Sequence, residues 1–237
     1  MGDIARAREE GIGRVKNMEE IQYYKTVYSK YWAEQTKKYG YAPYEQNLVR
    51  LIKKSSPQKV FEVGIGTGWP IGAALKKKGI TVDGCDIAES SVALAKEELN
   101  NEDGIWIGDV SEYKGDTEVY DVVYCVRASW YIPNFYRTVK KMVSMTKPGG
   151  HIIFDVMDRN SLFCVKQRWK YVKEKYYKFL GIDIDENYGQ HFISLTRMKL
   201  LLKRNRLSYQ CWGERELTHN KDIYNTPKVV FYCRKER

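Results

Sequence analysis

Short apolar runs alternate with amphipathic segments along most of the chain, and the two periods predict strands alternating with helices. The run YDVVYCV at 120–126 is nearly continuous, as in a central parallel strand that is buried on both faces. Ala88, Val92, Ala95 and Leu99 instead keep helical spacing. Together with the length of 237 residues, this pattern predicts one large α/β domain. Further strands are predicted at 104–110, 151–158, 207–212 and 229–233, and further helices at 42–54 and 133–146.

Residues 60–86 contain the most informative pattern in the sequence. A strand-like run leads into a turn with Gly64, Gly66 and Gly68, and then into a helix-forming segment and a second strand-like run that ends at Asp86. The glycines permit positive φ and a close approach of backbone to a ligand. Asp86 lies 22 residues after Gly64, and a carboxylate at roughly 20 residues meets a ribose hydroxyl in nucleoside-binding βαβ units. The pattern predicts such a unit. A glycine-rich turn without a ligand is the alternative, because GxGxG alone is a weak signal.

The spacing around these glycines argues against a cofactor held by its phosphates. Dinucleotide-binding turns use GxGxxG, and this chain has Trp69 where the third glycine would stand. The turn EVGIGTGWP also lacks Lys and Arg and departs from the GxxxxGK[ST] phosphate loop. Glu62 precedes the glycines instead, which suits a nucleoside ligand that carries a cationic ammonium group. S-adenosylmethionine is such a ligand, and the stretch resembles the first cofactor motif of the class I S-adenosylmethionine-dependent methyltransferases.

The resemblance implies cofactor contacts at the carboxyl ends of the strands, which is where ligands of open parallel sheets lie. It places Glu62 and the glycine turn at the methionine end of the cofactor and Asp86 at the ribose. Asp109 and Val110 are placed at the adenine, although a helix-capping or turn role is the alternative for Asp109. The other positions that it assigns to the cofactor are Ile65, Ile87, Val126, Arg127 and Tyr28.

The resemblance covers residues 42–237 and also includes the segment KPGG at 147–150, predicted as the turn into the strand HIIFDVMD. It implies a Rossmann-like three-layer sandwich with a mostly parallel seven-stranded sheet and an antiparallel last strand. It further implies an N-terminal helical lid at 1–41 and a helical cap, inserted after the fifth strand, at 160–190.

The segment RASWYIPN at 127–134 is expected to face the methyl acceptor. Many similar methyltransferases carry histidine there, and this chain has Trp130 and Tyr131 instead. The NPPY-type sequence of enzymes that methylate exocyclic amines of bases is absent, as is a proline-cysteine nucleophile. Arg127 has two interpretations, since it could bind an acidic group of the acceptor or pair with an exposed carboxylate. Candidates for catalysis are Tyr131, Asp155 and His191.

Residues 18–44 contain seven tyrosines and a tryptophan at largely helical spacing. Because tyrosine tolerates half-burial, one interpretation is an amphipathic helix packed on the edge of the domain. The other is a lid, because YYKTVYSKYW is similar to the YDxxAxxYD helix that closes over the cofactor in small-molecule methyltransferases. On that interpretation Tyr28 contacts the cofactor, and Tyr24 and Tyr31 line the acceptor pocket.

The sequence at 161–181 predicts a long amphipathic helix, with an apolar stripe along one face and lysines outside that stripe. A cap helix with a solvated lysine face is one interpretation, and a helix lying on an anionic membrane is the other. The stripe comprises Leu162, Val165, Trp169, Val172, Tyr176 and Phe179.

The formal net charge of +10 comes entirely from the C-terminal third. Residues 1–158 contain 22 basic and 22 acidic residues, and residues 159–237 contain 18 and 8. This asymmetry indicates an acidic acceptor or surface on that side, or a solvated lysine-rich face. The five cysteines include no CxxC pair, so neither a disulfide framework nor a structural zinc site is expected, and no metal is required. The N-terminus has no apolar leader and no run reaches membrane length, which predicts a cytoplasmic protein.

Three functions fit these patterns. The first is methyl transfer from S-adenosylmethionine to an N or O atom of a small molecule, an acidic or phosphate-bearing metabolite being one candidate. The second is methylation of RNA or protein by way of the basic C-terminal third, which the lack of an RNA-binding module disfavours. The third is a non-enzymatic regulatory protein that binds the cofactor.

Overall fold

The computed structural model describes residues 41–179, 191–219 and 227–236, together with residues 22–23 and 25–26. Within this part of the chain, seven strands form one sheet. They are β1 (Lys59–Val63), β2 (Thr81–Asp86), β3 (Ile105–Ile107), β4 (Tyr120–Cys125), β5 (Thr146–Met157), β6 (Leu207–Gly213) and β7 (Lys228–Lys235).

The sheet has the order β3-β2-β1-β4-β5-β7-β6. Strands β1 to β5 pair in parallel, and β7 runs antiparallel to both β5 and β6. This confirms the predicted Rossmann-like, mostly parallel sheet with an antiparallel last strand. The strand order reverses at β1, which lies between β2 and β4. At such a switch point the connections leave on opposite faces, so a crevice opens at the carboxyl ends of the strands.

Helices cover both faces of the sheet and complete the three layers. On one face α1, α2 and α3 bury Leu48, Leu75 and Val92 against the sheet. On the other face α4 and α6 bury Val139 and Leu202. The helices are α1 (Pro43–Lys53), α2 (Ile71–Lys76), α3 (Glu89–Leu99), α4 (Phe135–Met145), α5 (Leu162–Phe179), α6 (Leu195–Arg204) and α7 (Glu214–Thr218), and single 3₁₀ turns occur at Val110–Glu112 and Ser129–Tyr131.

The KPGG segment differs from the prediction, because it belongs to β5 rather than to a turn before that strand. Thr146 already pairs with Tyr120, and the register then shifts before Val122 pairs with His151. The glycines make this irregularity possible, since a Cβ on Gly150 would lie 2.8 Å from the carbonyl oxygen of Asp121. The segment is therefore a bulged entry into the strand.

The predicted lid and cap are described only in part. Tyr24, Tyr28 and Tyr31 lie outside the described residues, so their roles stay predictions. The predicted cap helix is present as α5, and residues 180–190 also lie outside the described part. Among the described residues, the apolar stripe of α5 is largely uncovered at Leu162 and Trp169, which are 66% and 65% exposed.

Candidate active site

The glycine turn after β1 lies over the end of β2. The backbone N–H groups of Gly64 and Ile65 both donate to the carbonyl oxygen of Cys85, at 2.9 and 3.0 Å. Gly64 has a φ of +72°, and a Cβ there would lie 2.6 Å from the Cβ of Ala128 in the segment after β4. Only glycine fits this position without displacing that segment. The turn thus brings together the carboxyl ends of β1, β2 and β4.

Asp86 at the end of β2 holds two of these loops together. One carboxylate oxygen accepts from the N–H of Gly66 and the other from the N–H of Ala88, both at 3.0 Å. Burial raises the pKa of Asp86, and the two backbone donors oppose that shift. Ile87 follows directly and is partly exposed. The carboxylate is therefore fixed in position at the switch point, as the predicted ribose contact requires.

Glu62 is a buried carboxylate beneath the glycine turn. It is 5% exposed, and its Oε2 accepts from the hydroxyl of Tyr124 at 2.8 Å. Burial, with a contribution from the nearby charge of Asp86, raises the pKa of Glu62 to about 8. In the described part of the chain, no lysine or arginine forms an ion pair with it. A buried carboxylate without a cationic partner is the electrostatic complement of a ligand ammonium group.

The glycine turn also contains a buried hydroxyl group that has no hydrogen-bond partner among the described residues. The hydroxyl oxygen of Thr67 is buried and makes no hydrogen bond within the described residues. Buried polar atoms of native proteins are nearly always hydrogen-bonded, and a bound ligand or water commonly supplies the partner. With Glu62 and Asp86, this atom makes the turn fit a polar ligand that carries an ammonium group and a ribose.

The segment after β3 forms the adjoining wall of the crevice. Asp109 is exposed and caps the 3₁₀ turn Val110–Glu112, its carboxylate accepting from the N–H of Ser111 at 2.7 Å. The capping role that was the alternative for Asp109 is thus present in the structure. The hydrogen bond from Ser111 uses only one of the two carboxylate oxygens of Asp109. The side chain of Val110 is buried in the core, so only its backbone is placed to contact a ligand. Ile107, beside Asp86 in the sheet register, is 53% exposed and adds an apolar surface.

The segment after β4 is held by charged groups from two distant parts of the chain. Arg127 has a φ of +61°, and its N–H donates to both oxygens of Asp155, at 2.9 and 3.1 Å. Its guanidinium group forms an ion pair with the buried carboxylate of Glu45 on α1. Of the two interpretations of Arg127, the structure contains the carboxylate pair, but the partner Glu45 is buried rather than exposed as predicted. Val126 beside it is buried.

Asp155 is placed to position this segment rather than to contact an acceptor. It has no exposed surface, and the hydroxyl of Tyr44 donates to its Oδ2 at 2.7 Å. Burial raises the pKa of Asp155 to about 6, against the opposing effect of the hydrogen bonds from Tyr44 and Arg127. A fully buried, hydrogen-bonded carboxylate does not reach a bound molecule without rearrangement. We therefore assign Asp155 to positioning and not to proton transfer.

Replacing Tyr44 with phenylalanine is expected to lower the free energy of unfolding by about 1–2 kcal/mol, because the buried Asp155 loses one donor. Urea unfolding at neutral pH measures this change. Tyr41→Phe is the matched control, since Tyr41 is exposed on the same segment, and it is expected to change the free energy by less than about 0.5 kcal/mol. Equal effects of the two substitutions would contradict the role given to the Tyr44–Asp155 bond.

Three of the predicted acceptor and catalytic residues, Trp130, Tyr131 and His191, lie in one cluster. The N–H of His191 donates to the carbonyl oxygen of Trp130 at 2.8 Å, which brings the two segments together across 61 positions of sequence. The rings of Trp130 and Tyr131 meet edge to face at 5.9 Å. The indole N–H of Trp130 is buried and has no acceptor within the described residues. The cluster is completed by Met157, Cys164 and Phe192.

The crevice, and Trp130 and Tyr131 of the cluster, lie within a recognised domain. The family of methyltransferase domains matches residues 61–154, which run from β1 to β5 and include the glycine turn and Asp86. Residues 61–154 thus carry a methyltransferase domain. The predicted resemblance is thereby confirmed.

Known relatives match this chain over only part of their own length. The ubiquinone biosynthesis O-methyltransferase of Coxiella burnetii is 29% identical over 104 residues, which are 43% of this chain and 44% of that protein. The malonyl-[acyl-carrier protein] O-methyltransferase of Halalkalibacterium halodurans is 24% identical over 155 residues, 63% of this chain and 55% of that protein. The chain thus spans about half the length of these curated relatives.

The fold of the whole chain also has relatives among solved structures. The magnesium protoporphyrin IX methyltransferase from Synechocystis, with bound S-adenosylmethionine, has a TM-score of 0.64 and 13% sequence identity, and the match covers 93% of this chain and 97% of that one. At this identity the likeness concerns the fold.

The described part of the chain contains neither a metal-binding cluster nor a membrane-spanning helix. Within them, no group of three or more His, Cys, Asp or Glu side chains is arranged to hold a metal ion. Their helices are likewise too short or too polar to cross a bilayer.

Three residues in or beside the candidate site were not predicted from the sequence. Tyr124 lies in a segment that predicts only a strand, and it contacts Glu62, 62 positions away. Glu45 lies in a segment that predicts only a helix, and it contacts Arg127, 82 positions away. Phe192 lies beside His191, and that proximity was the one signal available for it. Long-range polar pairs leave no periodic trace in a sequence.

Proposed function

We propose that this chain transfers the methyl group of S-adenosylmethionine to an N or O atom of a small-molecule acceptor. The observation that carries the proposal is the switch-point crevice, in which the uncompensated Glu62 carboxylate, the glycine turn and Asp86 occur together. The bound cofactor supplies an electrophilic sulfonium methyl group. Glu62 would hold its ammonium group, Asp86 its ribose hydroxyls, and the segment at Asp109 and Val110 its adenine.

The protein's part in such a reaction is alignment and exclusion of water, because the methyl group is already activated. Trp130 and Tyr131 would hold the acceptor, and the indole N–H of Trp130, which has no acceptor among the described residues, would offer it a hydrogen-bond donor. An amine acceptor needs only a neutral lone pair. A hydroxyl acceptor profits from a base, and His191 lies at the cluster to take its proton. The O-methyltransferase names of both curated relatives support an oxygen acceptor.

Transfer of labelled methyl from S-adenosylmethionine into a size-fractionated cell extract tests the proposal. Label is expected in the small-molecule fraction with the wild-type chain and with Asp116→Ala, an exposed substitution outside the crevice. It is expected to disappear with Asp86→Ala. Label that enters only macromolecules would contradict a small-molecule acceptor, and its sensitivity to nuclease or to protease would then identify RNA or protein. No label in any fraction would favour a non-enzymatic role.

A further inference from the structure

Helix α5 exposes a row of large apolar side chains. Leu162, Trp169 and Val172 are 66%, 65% and 56% exposed, and Val165 is 37% exposed. Apolar residues scattered singly over a surface are ordinary, but a contiguous row on one helix marks an interaction surface. These four residues, Leu162, Val165, Trp169 and Val172, are the first part of the predicted apolar stripe, and from here on "the stripe" means these four.

The stripe faces away from the body of the domain. At about 100° per residue, its four members fall within an arc of about 80°. Cys164, which is fully buried against Trp130 and Met157, lies about 120° from the centre of that arc. The first turn of α5 is thus anchored on the acceptor cluster by a different face, and the stripe is left outward.

Basic side chains flank the stripe on both sides. Residues 162–179 contain six lysines and arginines against one glutamate, a net charge of +5 and half the +10 of the whole chain. Lys166 and Lys173 fall on one flank of the stripe and Arg168 on the other, and all three are exposed. Long basic side chains beside an apolar row can lay their methylene stems along it and keep their charges in water.

We propose that α5 docks the chain on an anionic phospholipid surface, with the apolar stripe in the interface and the flanking cations among the lipid phosphates. An apolar row with basic flanks, and with tryptophan and leucine in the row, is the pattern of helices that lie in the plane of a membrane. Charge complementarity favours lipid over a second copy of this chain. Two such helices face to face would bring +5 against +5, whereas an anionic surface neutralises that charge. The docking surface is independent of the acceptor in the proposed function.

Co-sedimentation of the full chain with vesicles tests the docking surface. Vesicles of equal parts phosphatidylcholine and phosphatidylglycerol are expected to bind the wild-type chain, and more salt is expected to weaken the binding. The double substitution of Trp169→Ser with Val172→Ser, the stripe variant, should reduce binding to these vesicles about tenfold or more. Lys166→Gln/Lys173→Gln should reduce binding to these vesicles and leave binding to pure phosphatidylcholine unchanged. Leu200→Ser is the matched control, because Leu200 is 52% exposed on α6, and it should bind like the wild type.

The substituted side chains are exposed, so all variants should keep the thermal unfolding midpoint of the wild type. Failure of the wild type to sediment with anionic vesicles, or equal binding of the stripe variant, would overturn the proposal. Sedimentation velocity without lipid tests whether a second copy of this chain covers the stripe instead. A dimer that the stripe variant abolishes would show that the stripe joins two copies, and this too would overturn it. None of these measurements requires S-adenosylmethionine, so they succeed or fail separately from the proposed function.

Discussion

Asp86→Ala is expected to lower the affinity for S-adenosylmethionine by about 100-fold or more. The substitution removes the proposed acceptor of the ribose hydroxyls, and charged hydrogen bonds of this kind contribute about 1.5–3 kcal/mol each. It also releases the N–H groups of Gly66 and Ala88, which loosens the loops after β1 and β2. The first effect acts on the ligand directly and the second on the shape of its site.

Calorimetric titration of wild type and variant measures this change, and Asp86→Asn separates its two parts. Asparagine retains the shape of the side chain and one oxygen acceptor, so most of the loop structure should remain while the charge is lost. We expect Asp86→Asn to bind with an affinity between those of the wild type and Asp86→Ala, and Asp116→Ala to bind like the wild type. Unchanged affinity in Asp86→Ala would show that the carboxylate takes no part in binding.

Glu62→Gln is expected to stabilise the chain without ligand and to weaken cofactor binding. The pKa of Glu62 is raised to about 8 in the folded protein, against about 4.3 in an unfolded chain. The stability associated with its protonated form is therefore complete below about pH 4 and is lost progressively as the pH rises to about 8. By pH 7 the loss amounts to roughly 3 kcal/mol relative to a side chain that cannot ionise.

Glutamine avoids that loss, although its buried amide N–H₂ group costs about 1–3 kcal/mol if it finds no partner. We expect Glu62→Gln to be more stable than the wild type by about 1–2 kcal/mol at pH 7.5 and less stable at pH 4.5. Urea unfolding at both pH values tests this crossover, and Glu98→Gln, on the exposed side of α3, is the control that should show no crossover. Lower stability of Glu62→Gln at both pH values would mean that the carboxylate is already stabilised in its charged form.

Cofactor binding should weaken in Glu62→Gln although stability at pH 7.5 rises, because the ammonium group of the ligand loses its anionic partner. The affinity of Glu62→Gln for S-adenosylmethionine is expected to fall about 10-fold to 100-fold at pH 7.5. A group that costs stability in the free protein and contributes affinity in the complex is typical of a functional site.

The local parts of the fold were predictable from sequence because each carries a short-range signal. Apolar periodicity located the strands, and the glycines with Asp86 located the crevice. All three glycines have positive φ, and a Cβ on Gly64 would lie 2.6 Å from the Cβ of Ala128, which makes their spacing informative. The mostly parallel sheet with its antiparallel last strand came from the resemblance to a known family, since periodicity alone does not determine topology.

The remaining features depend on pairings that sequence patterns do not encode. The Tyr44–Asp155 bond joins residues 111 positions apart, and it changes Asp155 from a candidate base into a positioning group. Amphipathic spacing correctly predicted α5 but did not determine whether its apolar stripe would be covered. KPGG contains strong turn formers, yet pairing with β4 draws the segment into β5.

Calorimetric titration of the wild-type chain with S-adenosylmethionine, and with NAD in a parallel experiment, tests the central claim most directly. The crevice is expected to bind S-adenosylmethionine at a single saturable site and to leave NAD unbound, because its GxGxG turn has Trp69 in place of the third glycine. Binding of NAD, or no binding of S-adenosylmethionine, would contradict the assignment of Glu62, the glycine turn and Asp86 to that cofactor.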